Sequence, residues 1–191
     1  MKTGLFFGSF NPVHKGHFAI FKYLLEKSDL DNVVLVVSPQ NPLKAKWEEK
    51  SIAHRMKLVT ESVARLKSKS RENGGLSKSD TDRLFVSDIE FSMTPPLYTI
   101  NTMRKFRELE PDVEFVLIIG ADNLSIIEKW HDWQRLLKEF EVWVYPRSGI
   151  DSRALSKKYG THLIDASLID ISSTEIRENE SKGIDMSGFK I

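Results

Sequence analysis

Ten consecutive residues near the start of the chain, Gly8-Ser9-Phe10-Asn11-Pro12-Val13-His14-Lys15-Gly16-His17, combine the types needed to hold a phosphate. Gly8 permits a tight turn and lets an anion approach with no Cβ in the way. Pro12 fixes one φ of the loop, and the Asn11 side chain can satisfy loop amides. A helix starting near Val13 to Gly16 presents unpaired N–H groups, an anion site in themselves. His14 and His17 stand three residues apart, so both project from one face of the first turn and can donate to phosphate oxygens. The pair would also suit a metal, but spacing supplies no third ligand. The reading is phosphate binding, without a metal held by the protein.

A second set lies toward the other end. Ile171-Ser172-Ser173-Thr174-Glu175-Ile176-Arg177 reads alone as a helix N-cap with a capping-box pattern. Its hydroxyls and free amides suit an anion, and Arg177, one turn on, can add a charge-assisted contact. The plain alternative for Arg177 is a solvent-facing helix residue. Between the two ends, Gly120-Ala121-Asp122 closes the longest apolar run, setting a carboxylate where a ribose hydroxyl can bind. A capping aspartate is the alternative there. Trp130-His131-Asp132-Trp133 brings two tryptophans to one loop, where a ring can stack a flat ligand for roughly 1–3 kcal/mol per base in nucleic-acid systems. An aromatic pair can equally be core, and Trp133 reads as core.

The two end motifs together resemble the signatures of the nucleotidyltransferase superfamily: glycine, Ser/Thr, Phe, Asp/Asn, Pro and His-x-x-His, then the Ile171–Arg177 hallmark. Within it the chain looks like the bacterial-type nicotinate (nicotinamide) mononucleotide adenylyltransferases. Ser38-Pro39-Gln40-Asn41-Pro42-Leu43-Lys44 is similar to their proline-rich loop ending in Pro-His-Lys, with Leu43 where histidine is frequent. Pro95-Pro96-Leu97-Tyr98-Thr99-Ile100 is similar to their Ser-Tyr-Thr helix start, with Leu97 in place of serine. Pro146-Arg147-Ser148-Gly149 matches their Arg-Pro-Gly turn in composition but not in order. The likeness runs from Thr3 to about Arg177. The family's closing Val-Pro…Val…Tyr-Ile helix is missing or altered in Glu178 to Ile191.

The resemblance implies adenylyl transfer from ATP, with Mg2+, to nicotinate mononucleotide, giving deamido-NAD and pyrophosphate in NAD biosynthesis. It assigns His14, His17, Lys44 and Arg177 to catalysis. ATP would meet Gly8, Ser9, Phe10, His14, Gly16, His17, Ile171, Ser172, Ser173 and Arg177. The nicotinate nucleotide would meet Asn11, Lys44, Tyr98, Thr99, Gly120, Asp122, Trp130, His131 and Arg147, with Trp130 on the ring and backbone near His131 on its carboxylate. Other acceptors stay open: nicotinamide mononucleotide, phosphopantetheine, or the substrate of a cytidylyltransferase. So does a non-catalytic nucleotide sensor on the same fold.

These residues need a scaffold that gathers them. Gly4 to Gly8, Val33 to Ser38, Arg83 to Ser87, Val113 to Gly120 and Glu141 to Tyr145 are short apolar runs, several without alternation, as in strands covered on both faces. Between them Gly16 to Ser28, Glu48 to Leu66, Leu97 to Leu109 and Trp133 to Glu139 have helical spacing. The alternation predicts an α/β, Rossmann-like parallel sheet with helices on both faces, and a site beyond the carboxyl ends of the strands. We expect one nucleotidyltransferase domain over 1–191. Lys67 to Arg83 reads as a flexible polar insertion, and 171–191 as a helical segment carrying the second phosphate motif. Composition narrows the partners. In 191 residues, 28 basic and 27 acidic side chains leave a net charge of +1, against a nucleic-acid or polybasic membrane binder. The absence of cysteine excludes disulfides, thiolate zinc and cysteine nucleophiles. No apolar run approaches the roughly 20 residues of a membrane span, so a cytoplasmic location is expected. The oligomeric state is left open.

Overall fold

The computed structural model describes residues 1–39, 49–68 (side chains from 54 onward), 75–166 and 171–191. Its centre is a six-stranded parallel sheet: β1 (Lys2–Gly8), β2 (Asn32–Val37), β3 (Leu84–Ser87), β4 (Glu114–Gly120), β5 (Glu141–Tyr145) and β6 (His162–Leu163), in the order β3-β2-β1-β4-β5-β6. The unalternating apolar runs have the expected cause. Along β4, Val116 and Ile118 enter one core while Leu117 and Ile119 enter the other, because successive side chains leave opposite faces of a strand. Helices α1 (Lys15–Lys27) and α2 (Glu49–Ser68) cover the first face through Phe21, Leu24, Val59 and Val63. Helices α4 (Thr99–Leu109), α5 (Ala121–Ser125) and α6 (Trp133–Glu139) cover the second through Met103, Phe106, Leu124 and Leu136.

The strand order reverses beside β1, since β2 leaves on one side and β4 arrives on the other. Such a switch point leaves a crevice beyond the carboxyl ends of the two strands. The loop carrying Ser9 to His14 follows β1, and Gly120 to Asp122 follows β4.

Several elements differ from the sequence-based reading, the short α5 among them. Helix α7 (Ser152–Tyr159) and strand β6 have no pattern long enough to announce them, β6 being two residues at the sheet edge. In the polar stretch 67–83, residues 69–74 lie outside the described residues, but 75–83 are tied down. Leu76 and Thr81 are buried, Ser77 caps the short α3 (Lys78–Thr81), and Arg83 donates to the carbonyls of Leu25 (2.9 Å) and Asp31 (2.7 Å) and to that of Leu30. Within 75–83 polar residues serve as caps and backbone ties, where the sequence reads as a flexible insertion. Among the described residues no helix is long and apolar enough to cross a membrane.

Candidate active site

A cleft of about 640 Å³ opens at the switch point, within the usual range for small-molecule sites. One wall carries Gly8, Ser9, Phe10, His14, His17, Ser172 and Ser173, the other Tyr98, Thr99, Asp122, Trp130, His131 and Arg147. The sequence-distant motifs therefore share one cavity.

The histidine wall is built by the start of α1. His14 is its N-cap and His17 its third residue, and the backbone N–H of His14 donates to His17 Nδ1 at 3.3 Å. That acceptance leaves Nε2 of a neutral His17 to carry the ring proton, the donor a phosphate oxygen needs. The two imidazoles stack with centroids 3.7 Å apart, and His17 meets Phe10 edge-on at 5.1 Å. Burial pushes the His14 pKa down to about 4, with Arg147 adding repulsion. Burial also pushes His17 well below its ordinary range, assisted by His14 and Arg147. The pair is thus neutral near pH 7 in the free protein. Each ring therefore offers phosphate one N–H and not a charge.

Helix α8 (Ser173–Ser181) brings the second motif. Its N-cap Ser172 accepts from the Glu175 amide at 3.1 Å, Ser173 Oγ donates to the Pro12 carbonyl at 2.9 Å, and Arg177 donates to the Asn11 carbonyl and to Thr174 Oγ1 at 3.2 Å. The closing residues return to the same loop. Lys190 bridges His14, the Ile191 amide donates to Val13 O at 3.3 Å, and the Ile191 carbonyl accepts from Arg65 (2.9 Å) and Ser62 (3.1 Å) of α2. The altered closing segment packs here in place of a further helix.

On the opposite wall, Tyr98 is the N-cap of α4 and its ring stacks on His131 at 4.1 Å. Trp130 is half-buried beside them, while Trp133 packs edge-on against Tyr159 at 6.0 Å, as its core reading requires. Glu128 of the same loop accepts from Lys158 (3.0 Å) and Tyr159 (2.8 Å) of α7, so the missed helix is what holds the aromatic loop. Arg147 Nε stands 3.4 Å from Asp122 Oδ1, with its guanidinium over the Tyr145 ring.

Five expected residues do not line the cavity. Gly16 is buried inside the first turn of α1. Gly120 is the N-cap of α5, where a Cβ would lie 2.1 Å from Asp122 Oδ1 and 3.0 Å from Tyr145. Ile171 buries its apolar side chain with Ile176 and Met186, not against the cleft. Asn11 meets Arg177 through its carbonyl, and Arg177 itself braces the loop instead of facing the cavity. Lys44 lies outside the described residues. Conversely, sequence reasoning missed Arg55 and Glu90. Arg55 shares the buried face of α2 with Val59 and Ser62, so a charged residue at an apolar helical position was the available signal. Glu90 lines the cleft while 3% exposed, accepts from Thr102 Oγ1 at 2.8 Å, and has its pKa raised by burial. No local pattern marks it.

Among the described residues no group of three or more His, Cys, Asp or Glu is placed to hold a metal ion. The described residues of the cavity can hold anionic groups against N–H donors on one side and a flat ring against aromatics on the other.

The chain belongs to the cytidylyltransferase-like family, whose sequence profile matches residues 5–179. More narrowly, it is 39% identical over 181 residues to a probable nicotinate-nucleotide adenylyltransferase of Flavobacterium psychrophilum, covering 94% of this chain and 86% of that one. It is 37% identical to the protein of the same description from Bacteroides thetaiotaomicron, over 93% of this chain and 81% of the relative. Among solved structures, the Plasmodium falciparum nicotinic acid mononucleotide adenylyltransferase complexed with NaAD has the same fold. Its TM-score is 0.76 at 22% identity, over 98% of this chain and 87% of that one.

Proposed function

We propose that the protein transfers the adenylyl group of ATP to nicotinate mononucleotide, releasing pyrophosphate and forming deamido-NAD for NAD biosynthesis. The observation that carries this reading is the meeting of the two chain ends. Ser173 and Arg177 bond to the loop that leads into His14, in a chain closely related to nicotinate-nucleotide adenylyltransferases.

A 5′-phosphate oxygen of the acceptor attacks the α-phosphorus of ATP, and the bond to the bridging oxygen of the β-phosphate breaks. The acceptor is already an anion at neutral pH, so the reaction needs no general base and no protein nucleophile. The chain's work is to align two polyanions and to compensate charge as it develops; alignment alone supplies roughly 7–11 kcal/mol in well-oriented systems. In this reading the triphosphate lies against the α1 start, with His14 and His17 donating, and against the α8 start with Ser172 and Ser173. The resemblance would add Arg177, which here braces the loop behind the histidines, and Lys44 to the phosphate contacts. The pyridine ring lies against Trp130 beside the Tyr98–His131 stack, and Asp122 accepts from ribose. ATP would enter as its magnesium complex, in which the ion would neutralise charge on the leaving phosphates. The substrates are small molecules, and the protein acts in the cytoplasm.

The test is a substrate panel with ATP and magnesium, read by pyrophosphate release. The acid mononucleotide is expected to show the highest kcat/KM. A higher value for the amide moves the assignment to nicotinamide mononucleotide, and ATP binding without turnover of any acceptor returns the sensor reading.

A further inference from the structure

Arg55 is 1% exposed, although its guanidinium is charged. Its Nη1 donates to the carbonyls of Ser9 at 3.2 Å and Ser38 at 2.9 Å, and its Nη2 to that of Pro39 at 3.0 Å. Ser9 opens the loop after β1, and Ser38 and Pro39 open the loop after β2. One side chain thus ties the carboxyl ends of two neighbouring strands where the cleft begins.

Keeping a charge out of water costs several kcal/mol, and an apolar side chain of similar volume often serves packing as well or better. Arg177 stands close enough to repel it, and burial together with that repulsion lowers the Arg55 pKa. Space filling therefore does not account for an arginine here, but geometry does. In a trans peptide the C=O and N–H point in opposite directions. With the Ser9 carbonyl turned to Arg55, the N–H of the same peptide, that of Phe10, points away from the guanidinium. Phe10 has φ 44, and it lines the cleft together with Ser9. Its N–H donates to no protein group among the described residues. Successive amides in such a turn form an anion-binding concavity. From the other side Arg177 takes the carbonyl of Asn11, so two guanidiniums fix the loop's carbonyls.

We propose that Arg55 is a positioning residue for adenylyl transfer: by holding the Ser9, Ser38 and Pro39 carbonyls it aims the Phe10 N–H at a phosphate oxygen of the nucleotide. This rests on the reading of the cleft as the ATP site. Arg55→Met keeps bulk without donors, and Arg55→Lys keeps charge without the fork that reaches three carbonyls. Both are measured at a temperature where circular dichroism shows them folded. The expected result in each is a kcat lower on the order of 100-fold, the cost of misplacing a reacting group by about 1 Å. The KM for ATP is expected to change less than about threefold, because the contact matters most in the transition state. A merely structural arginine lowers the melting temperature and leaves kcat alone. A kcat for Arg55→Met within about fivefold of wild type, or full recovery by Arg55→Lys, overturns the proposal. If neither variant folds, the wild type decides. The amide resonance of Phe10 shifts on addition of ATP if the proposal holds, and an unmoved resonance refutes it. Absence of turnover in the wild type would instead count against the functional reading, leaving the Phe10 shift as the measure of Arg55.

Discussion

Lowering the pH from 7 to 5 should destabilise this protein through its buried histidines, above the range in which ordinary carboxylates are protonated. In the unfolded chain His14 titrates near its ordinary 6.5, whereas in the fold burial and Arg147 hold it down to about 4. Between those values the unfolded state binds a proton that the folded state refuses, so stability falls as pH falls. At 1.36 kcal/mol per pKa unit, the full window is about 3 kcal/mol, of which about 2 kcal/mol is lost by pH 5. His17, displaced in the same direction by burial, adds to the loss. Glu139, whose pKa is pulled down to about 2 chiefly by its bond from Arg104, loses its contribution only below the ordinary carboxylate range. Glu90 has the opposite sign. Burial raises its pKa, so acidification relieves it, and wild type must be compared with variants rather than read alone. The assay is urea denaturation of wild type, His14→Gln and Glu90→Gln at steps from pH 7 to 5. Wild type should lose about 2 kcal/mol more than His14→Gln across that range. A pH-independent difference between the two would falsify the claim that His14 is held neutral.

Four further outcomes follow from the site. His17→Ala should lower kcat by roughly 10²–10³-fold, the usual loss on removing one preorganised donor, with little change in either KM; an unchanged kcat removes it from the transition state. Trp130→Ala should raise KM for nicotinate mononucleotide by roughly 5–150-fold, the equivalent of 1–3 kcal/mol of stacking, and leave KM for ATP alone. Equal effects on both substrates exclude ring stacking. Gly120→Ser places a Cβ 2.1 Å from Asp122 Oδ1 and 3.0 Å from Tyr145. It should lower the melting temperature and weaken acceptor binding together, which calorimetry and KM check. ATP binding at pH 6–7 should take up protons, because a polyanion favours the imidazolium forms that burial disfavours; equal heats in buffers of different ionisation enthalpy would exclude this.

What the sequence revealed followed from chemistry confined to short strings. The 8–17 motif and the 171–177 motif were legible because glycine, proline, serine and histidine act through local backbone geometry. The central strands were legible because an apolar run covered on both faces leaves few other choices. What stayed hidden depends on three dimensions. Arg55 serves loops 46 and 17 residues away, a pairing no local pattern carries. Helix α7 escaped notice because its work is done through Lys158 and Tyr159 on Glu128, some 30 residues earlier. Arg177 reads from the sequence as a phosphate contact, yet its partner is the Asn11 carbonyl, a backbone group brought near only by the fold.

The protonation state was the least legible quantity, and it bears most on mechanism. Residue type alone does not say whether His14 and His17 carry a charge, since an imidazole titrates near neutrality. Stacked imidazoles 3.7 Å apart beside Arg147 cannot both ionise without strong repulsion in a buried site, so the pair offers donors while Arg147 carries the charge on the facing wall. A site built that way avoids a cluster of uncompensated charges when empty. A phosphate beside these rings favours their protonated forms, so in the proposed reaction charge compensation can grow with the charge it meets. In the proposed reaction that makes the selection of polyanions a matter of charge as well as of shape, because a polyanion shifts those imidazoles toward their charged forms.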